Sequence, residues 1–163
     1  MSEPTVTSLL QGFFTERLTR QLQASPQTVS AYRDTLKLLL LFASQKTKKP
    51  PSRLTIDDLD AITVGAFLTH LDTERHNSTA TRNARLAAIH SLYRYALPLI
   101  PDHAHTASQV LAIPHRRHDR AIVSYLTGPE TDALLGAPDR ATWHGRRDHA
   151  LLATAVQTGL RLS

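Results

Sequence analysis

The chain has 163 residues with 41% hydrophobic residues, which suffices for one domain, or for a small domain plus part of another. It contains no cysteine, which excludes a disulfide framework and thiolate or Cys-based zinc chemistry. The net charge is +5, and the excess lies before residue 121, where 15 Lys and Arg face 10 Asp and Glu. This balance fits a polyanionic partner, and it fits equally a solvated basic surface.

The N-terminus and the apolar runs predict neither export nor membrane insertion. The first ten residues, MSEPTVTSLL, contain no basic region and no long apolar run, so they predict no signal peptide. The run LKLLLLFA is too short to span a bilayer. We therefore expect a cytoplasmic protein without a membrane partner.

Apolar residues recur every three or four positions through the first hundred residues, as in helices that bury one face. The pattern predicts four helices, over residues 7–22, 26–45, 61–74 and 78–97. Ser25-Pro26 is typical of a helix start, because serine caps and proline fits the first helical position. The core residues predicted for the third and fourth helices are Ile62, Phe67, Leu68, Leu71, Leu86, Ile89, Tyr93 and Leu97.

The helical pattern weakens after residue 100 and then returns. One short helix is predicted within residues 102–112, followed by an extended segment over 113–126. Thr127 and Glu130 have the spacing of a capping box. A last helix over residues 141–159 is predicted to end with Gly159 in the left-handed conformation. Among the tyrosines, Tyr32 is predicted to lie in the core and Tyr125 to pack beside Ile122 and Val123.

These elements predict an all-α chain with two domains. We expect a helical domain over residues 1–100, a basic linker over 101–122 and the beginning of a second domain over 123–163. No glycine-rich phosphate loop, Ser-His-acid arrangement or dinucleotide motif is present. His103-x-His105 and His115-x-x-His118 have ligand-like spacing, but they lie in irregular segments without cysteine. We therefore predict no metal and no cofactor.

Basic side chains gather at the start of the fourth helix, where the helix dipole disfavours them by about 0.3–1 kcal/mol each. Thr81, Arg82, Asn83 and Arg85 would together offer hydroxyl, amide and guanidinium donors beside backbone N–H groups. Such donors hold phosphate oxygens. The alternative is that Arg82 and Arg85 pair with acids of another helix, such as Asp72 or Glu74, and the sequence does not choose between the two.

A second basic cluster lies in the predicted linker, in the sequence PHRRHDR. Its arginines, Arg116, Arg117 and Arg120, could follow a DNA backbone. A solvated loop is the alternative.

Four segments, in this order, resemble the N-terminal part of a tyrosine recombinase of the phage-integrase type. They are SPQTVSAYRDTLKLLLLFA, TATRNARLAAIHSLYRYAL, IPHRRHDRAIVSYLTGPETDALLGAP and RRDHALLATAVQTGLRLS. The resemblance covers nearly the whole chain. It implies a four-helix SAM-like core-binding domain, a linker and the first helices of a mainly α catalytic domain that is incomplete here.

The resemblance also implies a role for Arg161, which stands where the family has its first catalytic arginine. The family's catalytic lysine, His-x-x-Arg motif and nucleophilic tyrosine match no residue of this sequence. In the family, that tyrosine attacks a phosphodiester while arginines stabilise the developing charge. Because covalent catalysis needs the attacking group itself, we expect this truncated chain not to cleave or rejoin DNA alone.

Three functions remain in competition. The chain could be the DNA-binding portion of a recombinase, a stand-alone module that occupies recombination sites without cutting, or a helical interaction protein without a nucleic-acid role. The first two predict double-stranded DNA as partner, and assembly with other recombinase subunits on DNA. Exposed apolar residues of the second domain would favour self-association; they are Leu134, Leu135, Leu151, Leu152 and Val156.

Overall fold

The computed structural model describes residues 5–117 and 125–159, and these residues form helices and turns with no strand among them. The predicted all-α class is therefore confirmed. The chain divides into two compact units, Met1–His118 and Asp119–Ser163, and each is described by itself. No helix in the described ranges combines the length and the apolarity that crossing a bilayer requires.

The first helix changes its winding halfway. α1 spans Val6–Gly12 and continues as a π-helix over Phe13–Gln21. A hydrogen bond from the Leu22 amide to the Arg17 carbonyl, 3.0 Å long, shows the five-residue step of that winding. The wider turn brings side chains five residues apart toward the same face, and Phe13 and Leu18 are both buried. Sequence periodicity predicted the helix and missed the change of winding.

The next three helices begin at polar caps, of which the sequence analysis predicted the one at Ser25. They are α2 (Pro26–Thr47), α3 (Ala61–Thr73) and α4 (Thr79–Ala96). Ser25, Asp60 and Ser78 each accept a hydrogen bond from a backbone amide three residues ahead, which satisfies donors that a helix start leaves unpaired. Two single turns of 3₁₀-helix, Pro51–Arg53 and Asp57–Leu59, lie between α2 and α3. Two more, Leu97–Leu99 and Pro101–His103, follow α4.

α5, Ala104–Leu111, closes the first unit and packs against α3 and α4. The predicted short helix is thus confirmed, and it lies inside the range 101–122 that the sequence assigned to a linker. Ala107 and Val110 of this helix belong to the same buried core as residues of α1, α2, α3 and α4. After α5, residue 112 forms a turn, and the last described residues of the unit, 113–117, have no regular secondary structure.

The core of the first unit contains six of the eight apolar residues predicted for the third and fourth helices, and Leu97 is half-buried against it. Phe67, Leu68, Leu71, Leu86, Ile89 and Tyr93 are buried. Tyr93 donates a short hydrogen bond to the Leu59 carbonyl. The prediction for Ile62 was wrong, because this side chain is 75% exposed. With 3.6 residues per turn, it lies on the side of α3 opposite the buried residues.

The second unit contains α6 (Gly128–Gly136) and α7 (Trp143–Thr158) in its described part. The predicted capping box is present: the Glu130 carboxylate accepts hydrogen bonds from the Thr127 amide and hydroxyl, each 2.8 Å long. Gly159 follows α7 with φ 63°, the predicted left-handed conformation. At Gly145, a β-carbon would overlap the Asp139 carbonyl, so only glycine fits this contact.

Apolar side chains are exposed in the second unit. Leu134, Leu151 and Val156 are exposed, and Leu135 and Leu152 are half-buried, as the sequence predicted. Tyr125 is 85% exposed, so the prediction that it packs was wrong; its predicted neighbours Ile122 and Val123 lie outside the described residues.

Candidate nucleic-acid interface

Arg82 is buried, although the sequence analysis named it among the candidate phosphate contacts. Its guanidinium side chain is 9% exposed, and Nε lies 3.4 Å from an Asp72 carboxylate oxygen. Burial lowers the pKa of Arg82 and the nearby Arg116 lowers it further, whereas Asp72 acts in the opposite direction. The structure thus places Arg82 against Asp72, the alternative that the sequence left open.

Asn83 holds the chain segment that follows α5. Its Nδ2 donates to the Arg116 carbonyl over 2.7 Å, and its Oδ1 accepts from the Arg116 amide over 3.0 Å. Arg116 also reaches Asp72, with 2.7 Å between Nη1 and the same carboxylate oxygen that Arg82 faces. Asp72 therefore lies between two guanidinium groups. The sequence analysis named Asp72 as a possible partner of Arg82. It did not predict that Arg116, 44 residues further along the chain than Asp72, pairs with the same carboxylate.

Arg85 lines a cleft between α2 and α4. The cleft measures about 310 Å³ and is lined by Ala31, Tyr32, Asp34, Thr35, Thr81, Ala84 and Arg85. One of the Arg85 nitrogens, Nη1, is buried and has no hydrogen-bond partner in the described structure. Burial lowers the pKa of Arg85, Arg75 lowers it further, and Asp34 raises it. Arg85 thus brings a positive charge to this cleft, where Asp34 is the one carboxylate in the lining.

Two further predicted residues lie on the surface. Thr81 is exposed at the start of α4, where its amide donates to the capping Ser78 hydroxyl over 3.2 Å. Arg117 is exposed, and within residues 5–117 and 125–159 no ion pair or hydrogen bond of its side chain occurs. Arg120 and Arg161, the remaining predicted residues, lie outside the described residues.

A buried histidine next to this region was not identified from the sequence. His90 is 3% exposed and donates from Nε2 to the Val110 carbonyl over 3.1 Å. Its ring meets that of His115 edge to face, with 5.5 Å between the centroids. Burial lowers the pKa of His90, the Val110 bond raises it, and His115 and Arg94 lower it. In the described ranges, no three His, Asp or Glu side chains are grouped to hold a metal ion.

Comparison with known proteins identifies relatives of this chain. Residues 12–98 match the family model described as phage integrase, N-terminal SAM-like domain. A Sinorhizobium fredii protein named as integrase/recombinase y4rC is 56% identical over 155 residues, which is 95% of this chain and 47% of that protein. A second, y4rD of the same bacterium, is 42% identical over 95% of this chain and 55% of its own length.

A more distant relative carries a different name. The tyrosine recombinase XerC of Pelobacter propionicus is 30% identical over 151 residues, which is 92% of this chain and 47% of that protein. The chain thus spans about half the length of the curated relatives it matches. The comparison with solved structures gave no match.

Proposed function

Since the chain belongs to the phage integrase family through its SAM-like N-terminal domain, we propose that its first unit binds double-stranded DNA as the DNA-binding portion of a site-specific tyrosine recombinase. The unit would hold the phosphate backbone near a recombination site. Contacts of this kind fix the position and orientation of a protein on the duplex without reading its sequence.

The observation that carries this proposal is Arg85 at the cleft between α2 and α4, because its buried Nη1 atom has no hydrogen-bond partner in the described structure. Burial deprives the Arg85 guanidinium of water and lowers its pKa, and the charge of Arg75 lowers that pKa further. Neither guanidinium forms a salt bridge in the described structure. A phosphate oxygen would supply the missing anion and compensate for both the burial and the repulsion.

Arg117 and Thr81 extend this surface in the proposal. Arg117 contributes a cation without a carboxylate partner among the residues that the structure describes, and Thr81 contributes a hydroxyl on the rim of the same cleft as Arg85. Arg82, Asn83 and Arg116 are engaged by Asp72 or by backbone groups, so the proposal gives them a supporting role and no phosphate contact. Arg120, from the same basic run as Arg117, is proposed as a further phosphate contact.

The test is the salt dependence of DNA binding, measured by fluorescence anisotropy with a labelled duplex. Each phosphate contact contributes about 0.9 to the slope of log affinity against log salt. We expect Arg85→Ala and Arg117→Ala each to weaken binding and to reduce the slope by about one. Arg94→Ala is the matched control, because Arg94 is an exposed arginine further along the same helix. Equal slopes for all four proteins would refute the assignment.

For the whole protein we propose the chemistry that the family resemblance implies, with Arg161 stabilising the phosphoryl group that a tyrosine attacks. Within these 163 residues no match to that tyrosine exists. A second candidate is therefore a module that occupies recombination sites without cutting. Both candidates include assembly with other recombinase subunits on DNA, to which the exposed Leu151 and Val156 of the second unit would contribute apolar contacts.

A further inference from the structure

Residues 114–117, named here the exit segment, follow α5 and lie against α4 through side-chain contacts. Asn83 bonds both the amide and the carbonyl of Arg116, 33 positions further along the chain. One side chain thus pairs both backbone groups of a single residue, as a neighbouring strand would. Because an irregular segment has few backbone partners of its own, these two bonds fix where Arg116 lies.

Asp72 of α3 holds the Arg116 side chain as Asn83 holds its backbone. The Arg116 Nη1 atom lies 2.7 Å from the Asp72 carboxylate, and the Asp72 side chain is 17% exposed. Arg82 stands 3.4 Å from the same oxygen. Two cations and one anion leave a net charge of +1 in this cluster, so the contact holds the segment without cancelling its positive character.

A third contact of the exit segment is made by His115, the residue before Arg116. His115 packs edge to face on the buried His90 ring, whose Nε2 bonds the Val110 carbonyl at the end of α5. The segment is therefore held at two consecutive residues, by groups from α3 and α4. Arg117 is the next residue, and it is exposed.

We propose that Asn83 and Asp72 are positioning residues that anchor the exit segment, so that Arg117 is presented to the DNA backbone from a fixed position. The proposal rests on the proposed function for its DNA part only. An anchored cation loses less conformational freedom when it meets a phosphate than one on a mobile segment. Anchoring therefore raises affinity without adding a phosphate contact.

This role gives Asn83 a signature that differs from that of a DNA contact. Asn83→Ala removes both hydrogen bonds to Arg116, and a longer one of 3.4 Å that Asn83 Oδ1 accepts from Arg82 Nη1, but it removes no charge. We expect DNA affinity to fall by about 3- to 10-fold, the cost of ordering one or two side chains. The slope of log affinity against log salt stays unchanged, because every phosphate contact remains. Arg117→Ala, in contrast, lowers both the affinity and the slope.

The anchor itself is tested without DNA, by limited trypsin digestion of the full chain. Trypsin cleaves after arginine, and the anchor shields the bonds after Arg116 and Arg117. We expect Asn83→Ala to raise the initial cleavage rate at these bonds by about 10-fold, as the loss of two hydrogen bonds implies. Gln109→Ala is the control, because it removes an exposed amide whose bonding partner is His105.

The outcomes separate the two proposals. Cleavage of Asn83→Ala at the wild-type rate overturns the anchor. Faster cleavage combined with unchanged DNA affinity overturns the positioning role. Absence of any salt-dependent DNA binding by the unmodified chain refutes the proposed function, while the digestion still decides the anchor. Asn83→Asp, which keeps the acceptor for the Arg116 amide and loses the donor to its carbonyl, should give an intermediate cleavage rate.

Discussion

Replacing Asp72 with asparagine should destabilise the first unit. The substitution keeps the size of the side chain and one acceptor oxygen but removes the charge between Arg82 and Arg116. At 3.4 Å and an effective dielectric constant of about 20, the Coulomb attraction between two unit charges is about 5 kcal/mol. That attraction is lost while the buried Arg82 keeps its charge.

The net cost is smaller than this gross attraction. Breaking a buried ion pair costs about 3–5 kcal/mol. The Asp72 side chain is 17% exposed, so water offsets part of the lost attraction. We therefore expect a loss of about 2–3 kcal/mol. For a unit of this size, 1 kcal/mol corresponds to about 4 °C in Tm, so the midpoint should fall by roughly 8–12 °C.

The assay is thermal and urea unfolding followed by circular dichroism, with Glu74→Gln as the matched control. Glu74 pairs with His70 on the same helix, but its side chain is 71% exposed. Exposed pairs contribute about 0–1 kcal/mol and are screened by salt. The reasoning is refuted if Asp72→Asn lowers the free energy of unfolding by less than about 0.5 kcal/mol, which is well below the effect expected for a buried pair. It is also refuted if the effect of Asp72→Asn disappears at high salt, as we expect for Glu74→Gln.

Three further predictions follow from the buried polar groups and the family resemblance. Tyr93→Phe leaves the Leu59 carbonyl without its donor, so unfolding experiments should show a loss of about 1–3 kcal/mol; an unchanged Tm would contradict this. Because His90 has a lowered pKa, the folded state disfavours its proton, so stability should decline as the pH falls below about 6.5. His90→Gln should flatten that decline, and an identical pH profile would argue against it. Finally, a nicked suicide DNA substrate should form no covalent adduct with the purified chain, as judged by denaturing electrophoresis.

The helices were predictable because their signals are local. Ser25 and Thr127 mark helix starts within three or four residues, and the apolar stripe of α4 repeats at the helical period. Ile62 shows the limit of this method: an apolar residue next to a stripe fits the pattern, and only the position of the helix on the core decides that it faces outward. The π winding after Gly12 likewise depends on how Phe13 and Leu18 meet the core.

The candidate site was predictable in composition and not in arrangement. The run of arginines in α4 indicated a basic surface, but the choice between phosphate and carboxylate partners for Arg82 depends on the distance to Asp72. The Asn83–Arg116 bonds join residues 33 positions apart, which no periodicity encodes. Local sequence therefore identified the basic helix, and the packing of α3, α4 and the exit segment assigned the residues within it.

The shared carboxylate of Asp72 has an evolutionary consequence. A substitution of Asp72 leaves two cations facing each other, one of them buried, so it is tolerated best when Arg82 changes as well. Asn83 and Arg116 are less tightly linked, because Asn83 bonds the backbone of residue 116 and accepts any residue there except proline, which lacks the amide donor. Among relatives of this chain, positions 72 and 82 should therefore vary together, while position 116 should vary with 72 and remain independent of 83.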